Sequence, residues 1–375
     1  MKMAIRILTI FLFVGMLVPK SVRAEEVPAF KISGFVDAYY SYNFNNPDSR
    51  LNLPEDVGGS NFDFYHNTFS LNLAELVVSK AAEPVGFRMD LDFGPTTDFV
   101  HGGLAAIHPP IHGTSAEGEV FKNVQQAYVT WAAPFGVTFD LGKFVTHMGA
   151  EVIESKDNWN YTRGLLFCCA IPYYHAGLRA NYPINDMIFV NGYVYNGWNN
   201  VIENNDMKTF GAQIGITPIP QLPILLNWVG PEECKDPATC TSLYTDRQVY
   251  DVIVTFNATD ALSFMVNYDY GTQDGLGGAE DSEWSGVAVY AKYAWSETGA
   301  AVLRYETFDD EDGFGGFGTK IQEVTATYER KIGNGLLVRV EARQDMADDP
   351  IFEDEDGDIT EDTQSRVVLG AIYSF

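Results

Sequence analysis

The 375 residues include 24 Lys and Arg against 51 Asp and Glu, which gives a formal net charge of −27. This acidity argues against a nucleic-acid-binding protein, because such proteins need a basic surface to displace counterions. The 46% hydrophobic content excludes a disordered chain, since the chain can bury enough apolar surface to offset its conformational entropy. After residue 24 no uninterrupted run reaches the roughly 18 apolar residues of a membrane helix, which excludes a helical membrane protein.

The N-terminal segment has the pattern of an export signal. A basic start with Lys2 and Arg6 precedes an apolar run from Ile7 to Val18, and the segment ends in a small residue at Ala24. The pattern predicts a secretory signal peptide over residues 1–24 and a single mature domain over residues 25–375. Export would place the chain in an oxidising compartment, where its cysteines can pair.

From Phe30 to Phe375 the chain repeats segments of about ten residues in which every second side chain is apolar. Short turns alternate with longer, polar, acidic connections, a one-sided asymmetry typical of outer-membrane barrels. The pattern predicts an all-β, transmembrane, up-and-down antiparallel β-barrel of about 16 strands, with short periplasmic turns and long extracellular loops. The predicted strands begin near Phe30, Phe69, Val85, Val124, Val137, Tyr173, Met187, Thr209, Leu222, Arg247, Leu262, Ser285, Gly299, Lys320, Leu336 and Ser365. A turn is predicted at Tyr182 to Asn185, and a bulge or a register change is predicted near Ala74, where alternation is lost.

The predicted strands have one apolar and one charged face. In the segment from Leu336 to Asp345, even-numbered apolar residues alternate with odd-numbered charged residues. A lumen enclosed by some 16 strands is too wide for side chains to fill, so the charged face is expected to point inward and the apolar face to contact lipid. The predicted pore-lining residues are Arg88, Asp90, Arg179, Lys292, Arg304, Glu306, Arg339, Glu341, Arg343 and Arg366. They could brace the wall through cross-strand ion pairs, or they could set up a transverse field that orients polar solutes.

Two loop features invite a metal-site interpretation. The acidic run from Asp354 to Thr360 matches the middle of a calcium loop, but the frame fails at both ends, on Phe352 and Thr363. The favoured interpretation is a solvated acidic loop, with loose divalent bridging to lipopolysaccharide phosphates as the alternative. The second long loop contains His101, His108 and His112 without a carboxylate or cysteine at fixed spacing, which favours a solvated loop. No metal or cofactor is predicted.

Catalysis finds no support in the sequence. His175 is the one histidine that falls within a predicted strand, and no GxSxG elbow accompanies it. It shares a face with Arg179 and Asn181, which favours a polar residue facing the lumen. The chain is therefore not expected to be an enzyme.

The last strand ends on Phe375, with Tyr373, Ala371 and Leu369 on the same face. Such an ending resembles the signal that hands outer-membrane barrels to their assembly machinery. The opening strand FKISGFVDAYYSYNF, the segment LGKFVTHMGAEV from Leu141 to Val152 and the strand YHAGLRANY then resemble the OmpL-like β-barrel porins of Gram-negative outer membranes. The resemblance covers essentially the whole mature chain, and it implies a passive or weakly selective pore with no catalytic site.

By analogy with other porins, the third long loop, about residues 145–172, is expected to fold inward and narrow the channel. Its Asn158, Trp159, Tyr161 and Arg163 suit contact with polar solutes.

Four cysteines allow three pairings, and the favoured one joins Cys234 to Cys240 across one acidic loop. The adjacent Cys168 and Cys169 would then form a vicinal bridge, and a bridge joining the two loops is the alternative.

The sequence thus predicts an outer-membrane porin, a passive and mildly cation-selective diffusion channel for small hydrophilic solutes and ions. The alternatives are a substrate-specific channel for sugars or oligopeptides, and a surface barrel acting in adhesion or lipid hydrolysis. The expected partners are outer-membrane lipid and lipopolysaccharide, the barrel assembly machinery through Phe375, and further copies of the chain in a homo-oligomer. Nucleic acid is not expected as a partner.

Overall fold

The computed structural model describes residues 30–54, 61–102, 121–203, 207–232, 244–275 and 280–375. Sixteen antiparallel strands form one closed barrel in which each strand pairs with its neighbours along the chain. The barrel strands are β1 (Lys31–Asn43), β2 (Thr68–Lys80), β3 (Val85–Phe93), β4 (Val124–Ala132), β5 (Thr138–Val145), β6 (Tyr174–Asn185), β7 (Ile188–Tyr195), β8 (Thr209–Ile216), β9 (Ile224–Glu232), β10 (Tyr244–Asn257), β11 (Leu262–Gly275), β12 (Ser282–Ser296), β13 (Gly299–Asp309), β14 (Lys320–Ile332), β15 (Leu336–Ala347) and β18 (Thr363–Ser374). The predicted fold is confirmed.

The barrel closes between its first and last strands. β1 pairs with β18 from Phe35 opposite Ser374 to Asn43 opposite Arg366. At the end of this seam, Gly34 and Phe375 exchange two backbone hydrogen bonds of 3.1 and 3.0 Å. Closure leaves no unpaired strand edge, which a membrane-spanning sheet requires because lipid cannot satisfy backbone polar groups.

The elements outside the barrel are short. A two-stranded hairpin, β16 (Phe352–Glu353) and β17 (Ile359–Glu361), lies in the last long loop. Helix α1 (Pro95–Gly102) follows β3, and a 3-10 turn (Ser155–Asp157) and helix α2 (Leu165–Cys169) lie in the loop between β5 and β6. Within the described ranges, neither helix is long and apolar enough to cross a membrane.

The strands present the two faces that the alternation predicts. Leu303, Tyr305 and Val340 are exposed on the outside, whereas Arg304, Glu306 and Arg339 on the same strands are buried inside. The stacked rings of Trp295 and Tyr328, with centroids 5.6 Å apart, belong to the outer face. This is the arrangement of a barrel whose apolar surface meets lipid.

Three local details differ from the sequence prediction. The bulge in β2 lies at Asn72, which is skipped between the pairs Asp37–Leu73 and Ala38–Leu71, two residues before the predicted position. β6 continues to Asn185, so the predicted turn from Tyr182 is wrong; the strands β6 and β7 extend the pairing to the end of this hairpin. The β16–β17 hairpin was not predicted, because two- and three-residue strands leave no periodic signal.

The hydrophobic core lies inside the barrel rather than between packed layers. We call residues 146–173, between β5 and β6, the inner loop, since its side chains pack within the lumen. Tyr161 and Phe167 from this loop join Phe62 from the connection between β1 and β2, and Phe99 from α1, in one buried cluster. The ring centroids of Phe62 and Phe167 are 5.7 Å apart, and those of Phe62 and Phe99 are 5.3 Å apart. The loops therefore fill part of the space that the strands enclose.

Candidate functional site: the barrel lumen and its inner loop

Arg339 on β15 holds the backbone of the inner loop. Its guanidinium donates to the carbonyl oxygens of Ser155 at 2.5 Å, Asn158 at 2.5 Å and Asn160 at 2.9 Å. The same group donates to Glu329 on β14 at 2.7 and 3.0 Å. A guanidinium offers five donors in a fixed fork, so one side chain can bind three carbonyls and a carboxylate together. Arg339 therefore ties the inner loop to the wall.

Two glutamates accept hydrogen bonds from backbone N–H groups of the same loop. Glu341 accepts from the N–H groups of Tyr161 at 2.7 Å and Thr162 at 2.9 Å. Glu306 accepts from the N–H of Leu165 at 2.5 Å. Hydrogen bonds to a charged acceptor are about twice as strong as neutral ones. The loop is thus fixed at both its carbonyl and its amide groups.

A buried ion network joins the loop to β13 and β14. Arg304 donates to Glu151 of the inner loop at 2.7 Å, to the Thr162 carbonyl at 2.8 Å and to Glu323 on β14 at 2.6 Å. Glu151 in turn accepts from the N–H of Gly164 at 2.6 Å. Every charge in this network has an opposite charge or a backbone dipole beside it, as buried charges require.

Tyr161 docks the tip of the inner loop against the closing seam. Its hydroxyl donates to Asp37 on β1 at 2.9 Å, and Ser155 donates to the same carboxylate at 2.6 Å. The ring lies over Gly370 on β18, where an added Cβ would be 2.4 Å from ring atoms. The close approach of this ring therefore requires glycine at position 370.

The connection between β1 and β2 also reaches into the lumen. Arg366 on β18 donates to Asp63 at 2.8 Å, to Asn61 at 2.9 Å and to Asp345 on β15 at 2.8 Å. Burial raises the pKa of Asp63, while the Arg366 charge opposes that rise. This contact could not be predicted, because nothing in the composition of the loop marks it as folding inward.

The wall from β6 to β11 carries a continuous row of polar side chains, five amides and the carboxylate of Asp251. One residue per strand contributes, and each amide donates to the next: Asn181 to Asn191 at 2.5 Å, Asn191 to Gln213 at 2.7 Å, and Gln213 to Asn227 at 2.8 Å. Asn227 and Asn267 then both donate to Asp251, the latter at 2.6 Å. We call this row the amide belt. Sequence reasoning missed it because successive members are 10 to 24 residues apart and become neighbours only through strand register.

The predicted pore-lining residues divide into two groups. Arg88, Arg179 and Lys292 keep 41%, 26% and 25% of their side chains exposed inside the barrel. The other seven are buried, most of them beneath the two loops that fold inward: Asp90, Arg304, Glu306, Arg339, Glu341, Arg343 and Arg366. The contacts of these seven residues hold the loops and brace the wall. That they line an open path stays a prediction.

The four residues proposed for the constriction all lie on the inner loop inside the barrel. Asn158 bonds to the backbone of Val152, and Arg163 donates to the Tyr161 carbonyl at 2.8 Å. Burial lowers the pKa of Arg163. Asn158, Tyr161 and Arg163 are fully buried, whereas Trp159 is half-exposed, with Lys292 5.8 Å from its ring centroid. Three of the four therefore hold the loop in place, and Trp159 keeps part of its side chain exposed.

The predicted cysteine pairs and loop histidines lie partly outside the described residues. Cys168 and Cys169 form a vicinal disulfide on α2, while Cys234 and Cys240 lie outside the described residues, so their pairing stays a prediction. His101 was expected in a solvated loop, but it lies on α1, with its ring centroid 4.6 Å from that of Tyr174. His108 and His112 lie outside the described residues.

The acidic run from Asp354 is held as a turn by its own contacts. Asp354 accepts from the N–H groups of Asp356 and Asp358, each at 3.0 Å, and from the Thr360 hydroxyl at 2.6 Å. The run lies exposed on the last long loop, as expected for a solvated loop.

Comparison with known proteins agrees with this architecture. The family model described as "Putative beta-barrel porin-2, OmpL-like" matches residues 29–375. The chain belongs to this family. It is an outer-membrane porin. No curated protein sequence matches the chain.

Solved porin structures share the fold of this porin at low sequence identity. An anion-selective porin from Comamonas acidovorans superposes with a TM-score of 0.62 at 14% identity, covering 92% of this chain and 99% of its own. The outer-membrane channel DcaP of Acinetobacter baumannii gives a TM-score of 0.58 at 13% identity, with 95% and 99% covered. The trimer form of OmpT of Vibrio cholerae gives 0.56 at 12% identity, with 93% and 100% covered.

Proposed function

We propose that this porin is a passive diffusion channel for small hydrophilic solutes and ions, and that it has no enzymatic activity. The observation that carries the proposal is that the inner loop from Glu151 onward is bound mainly to β1 and β13–β15, whereas it reaches the β7–β9 wall only through its first residues, around His147. Polar groups of the β6–β8 wall therefore keep exposed surface. Asn181, Asn191 and Gln213 are half-exposed there, and Val152 and Trp159 of the inner loop also keep exposed surface. The path is proposed to run between these two surfaces.

We propose a mild preference for cations over anions. The last long loop is acidic, with Asp354, Asp356 and Asp358 at its exposed turn. Carboxylates at a channel mouth raise the local cation concentration within a Debye length, about 10 Å at 0.1 M salt. The anion-selective relative shares only 14% identity, and its selectivity belongs to its own side chains.

Reversal potentials across planar bilayers test the preference. We expect a potential of cation-selective sign in dilute salt that decreases toward zero near 1 M salt, because screening shortens the range of the mouth charges. Changing Asp354, Asp356 and Asp358 to Asn should reduce the preference without closing the channel. An anion-selective potential in dilute salt would contradict the proposal and would assign control of ion passage to the accessible cations Arg179 and Lys292.

A specific channel for sugars or oligopeptides is the second candidate. The amide belt favours it, because neutral donors and acceptors together with the exposed part of Trp159 can bind uncharged polar solutes. Conductance measured with a series of sugars distinguishes the two functions. Block by one solute class at low concentration, lost on changing Trp159 to Ala, would support the specific channel. Equal and weak effects of all sugars would support passive diffusion.

The proposed partners follow from the termini and loops. Phe375 at the barrel seam is proposed to engage the assembly machinery, and the acidic loops to meet lipopolysaccharide through bridging cations. A homo-oligomer is proposed as well, in line with the trimer form of the OmpT relative. A surface barrel for adhesion or lipid hydrolysis would instead show no conductance in planar bilayers, which makes conductance the single most useful measurement.

A further inference from the structure

Two buried carboxylates face each other on the inner wall. Glu75 on β2 lies directly opposite Asp92 on β3, and both side chains point inward. Asp92 is fully buried and Glu75 is 5% exposed. Among the described residues, the two carboxylate oxygens of Asp92 have no hydrogen-bond partner, and Oε2 of Glu75 has none either. Like charges directly opposite on a sheet repel, and an unpaired buried carboxylate is costly. The pair therefore needs a neutralising group.

The nearby cationic side chains bind other groups. Arg88 donates to both oxygens of Asp90 at 2.9 Å. Lys156 of the inner loop is paired with Asp157. Lys143 is buried on β5, where it donates to the Val124 carbonyl at 2.6 Å and contacts a ring nitrogen of His101 at 3.1 Å.

Lys31 and the connection after α1 do not supply it either. Lys31 lies on the same face as Glu75, but its cross-strand partner is Ser79, four residues further along β2, or roughly 13 Å away. Residues 103–120, which connect α1 to the segment before β4, contain two histidines, two glutamates and no lysine or arginine. The neutralising charge is therefore best supplied from solution.

Further oxygen ligands and a route for ions lie beside the pair. Ser155 bonds to Asp37 on β1, so the preceding Glu154 of the inner loop is positioned over the same part of the wall. Gln125, in a bulge of β4 opposite β3, is fully buried, and its side chain has no partner among the described residues. Glu75 also lines a cavity of about 380 Å³ together with Ser79, Arg88 and Lys156 near the end of the seam at Phe375. This cavity gives water and ions access to Glu75.

We propose that Glu75 and Asp92 bind a divalent cation, Mg²⁺ or Ca²⁺, that fastens the start of the inner loop to the β2–β3 wall. Hard divalent cations take carboxylate and amide oxygens, and Mg²⁺ commonly binds through one or two carboxylates while retaining several waters. Within the described ranges no three His, Cys, Asp or Glu side chains are already gathered as a metal site. Water is therefore expected to complete the coordination and to bridge the cation to Glu154 of the loop. The site is independent of the proposed solute path.

The test measures metal binding to the full chain in detergent after treatment with a chelator. Isothermal titration with Mg²⁺ or Ca²⁺ is compared between the wild type, the double variant Glu75→Gln with Asp92→Asn, and a control variant Asp354→Asn with Asp358→Asn. We expect one saturable site per barrel that is lost, or weakened at least tenfold, in the double variant and retained in the control. The same cations should raise the unfolding temperature of the wild type and of the control, but not that of the double variant.

A second measurement keeps the proposal testable if the double variant does not fold. Infrared spectra of the wild type distinguish ionised from protonated carboxyl groups, with and without saturating Mg²⁺. A change in the carboxylate bands on adding Mg²⁺ would support the site. A buried protonated carboxyl band that persists with saturating cation would overturn it, because the pair would then be neutralised by a proton. Equal titrations for the wild type and a folded double variant would overturn it as well.

Discussion

Replacing Arg339 by Met should release part of the inner loop while leaving the barrel intact. The methionine keeps much of the volume of the arginine stem but removes the three donors to the Ser155, Asn158 and Asn160 carbonyls. It also leaves Glu329 without its closest partner, since Lys292 approaches that carboxylate only to 4.0 Å. The loop retains its contacts to Glu341 and Arg304.

The expected magnitude follows from burial. Arg339 and Glu329 are almost fully inaccessible, and breaking such a pair by removing one partner costs about 3–5 kcal/mol. At about 1.4 kcal/mol for each factor of ten, the equilibrium constant for loop release should rise by roughly 10²- to 10⁴-fold. The barrel strands lose no backbone hydrogen bond, so the strand content should not change.

Hydrogen exchange and single-channel recording measure this effect. Amides of residues 155–163 should exchange faster in the Arg339→Met variant, and the channel current should become larger or noisier. The control is Arg179→Met, which also removes a guanidinium from the lumen, but one whose hydrogen bond goes to Asp140 on the neighbouring strand. Unchanged amide exchange in the Arg339 variant, or the same increase in exchange in both variants, would show that Arg339 does not hold the loop.

Two further predictions concern one glycine and one loop carboxylate. Changing Gly370 to Ala should displace the Tyr161 ring and destabilise the barrel by about 1–3 kcal/mol, the usual cost of overpacking. Thermal unfolding measures this loss of stability. The control is Gly192→Ala, which should be neutral because an added Cβ meets nothing within 4 Å there. The Thr360 hydroxyl and backbone N–H groups lower the pKa of Asp354, so this carboxylate stays charged as the pH falls through the usual aspartate range near 3.8. Thr360→Val should raise the pKa of Asp354, so reversal potentials should lose their cation preference at a higher pH than in the wild type. Thr360→Ser keeps the hydroxyl and should keep the wild-type pH dependence. The same pH dependence in the valine variant and the wild type would contradict this.

The strands follow from the sequence because their information is local. Alternating side chains and short turns define each hairpin, and a side-chain period of two leaves little freedom of register when one face must be apolar. The positions of Leu303 outside and Arg304 inside could therefore be predicted from their own segment. The bulge in β2 was also marked locally by lost alternation, although it lies at Asn72 rather than at Ala74.

The contents of the lumen are decided only by the tertiary structure. An inward-facing arginine looks the same in sequence whether it meets water, as part of Arg179 does, or three carbonyls, as Arg339 does. What separates the two is the path of the inner loop, and that path depends on partners 180 residues away, such as Glu341 for Tyr161.

The amide belt and the opposed pair of Glu75 and Asp92 have the same origin. In each of the two groups the members come from different strands, and strand register places the members of that group beside one another on the closed wall. The sequence by itself thus determined the barrel and the direction of each side chain, because these depend on near neighbours. The folded structure decided which lumen groups bind loops and which keep exposed surface, because those contacts form between segments that only barrel closure brings together.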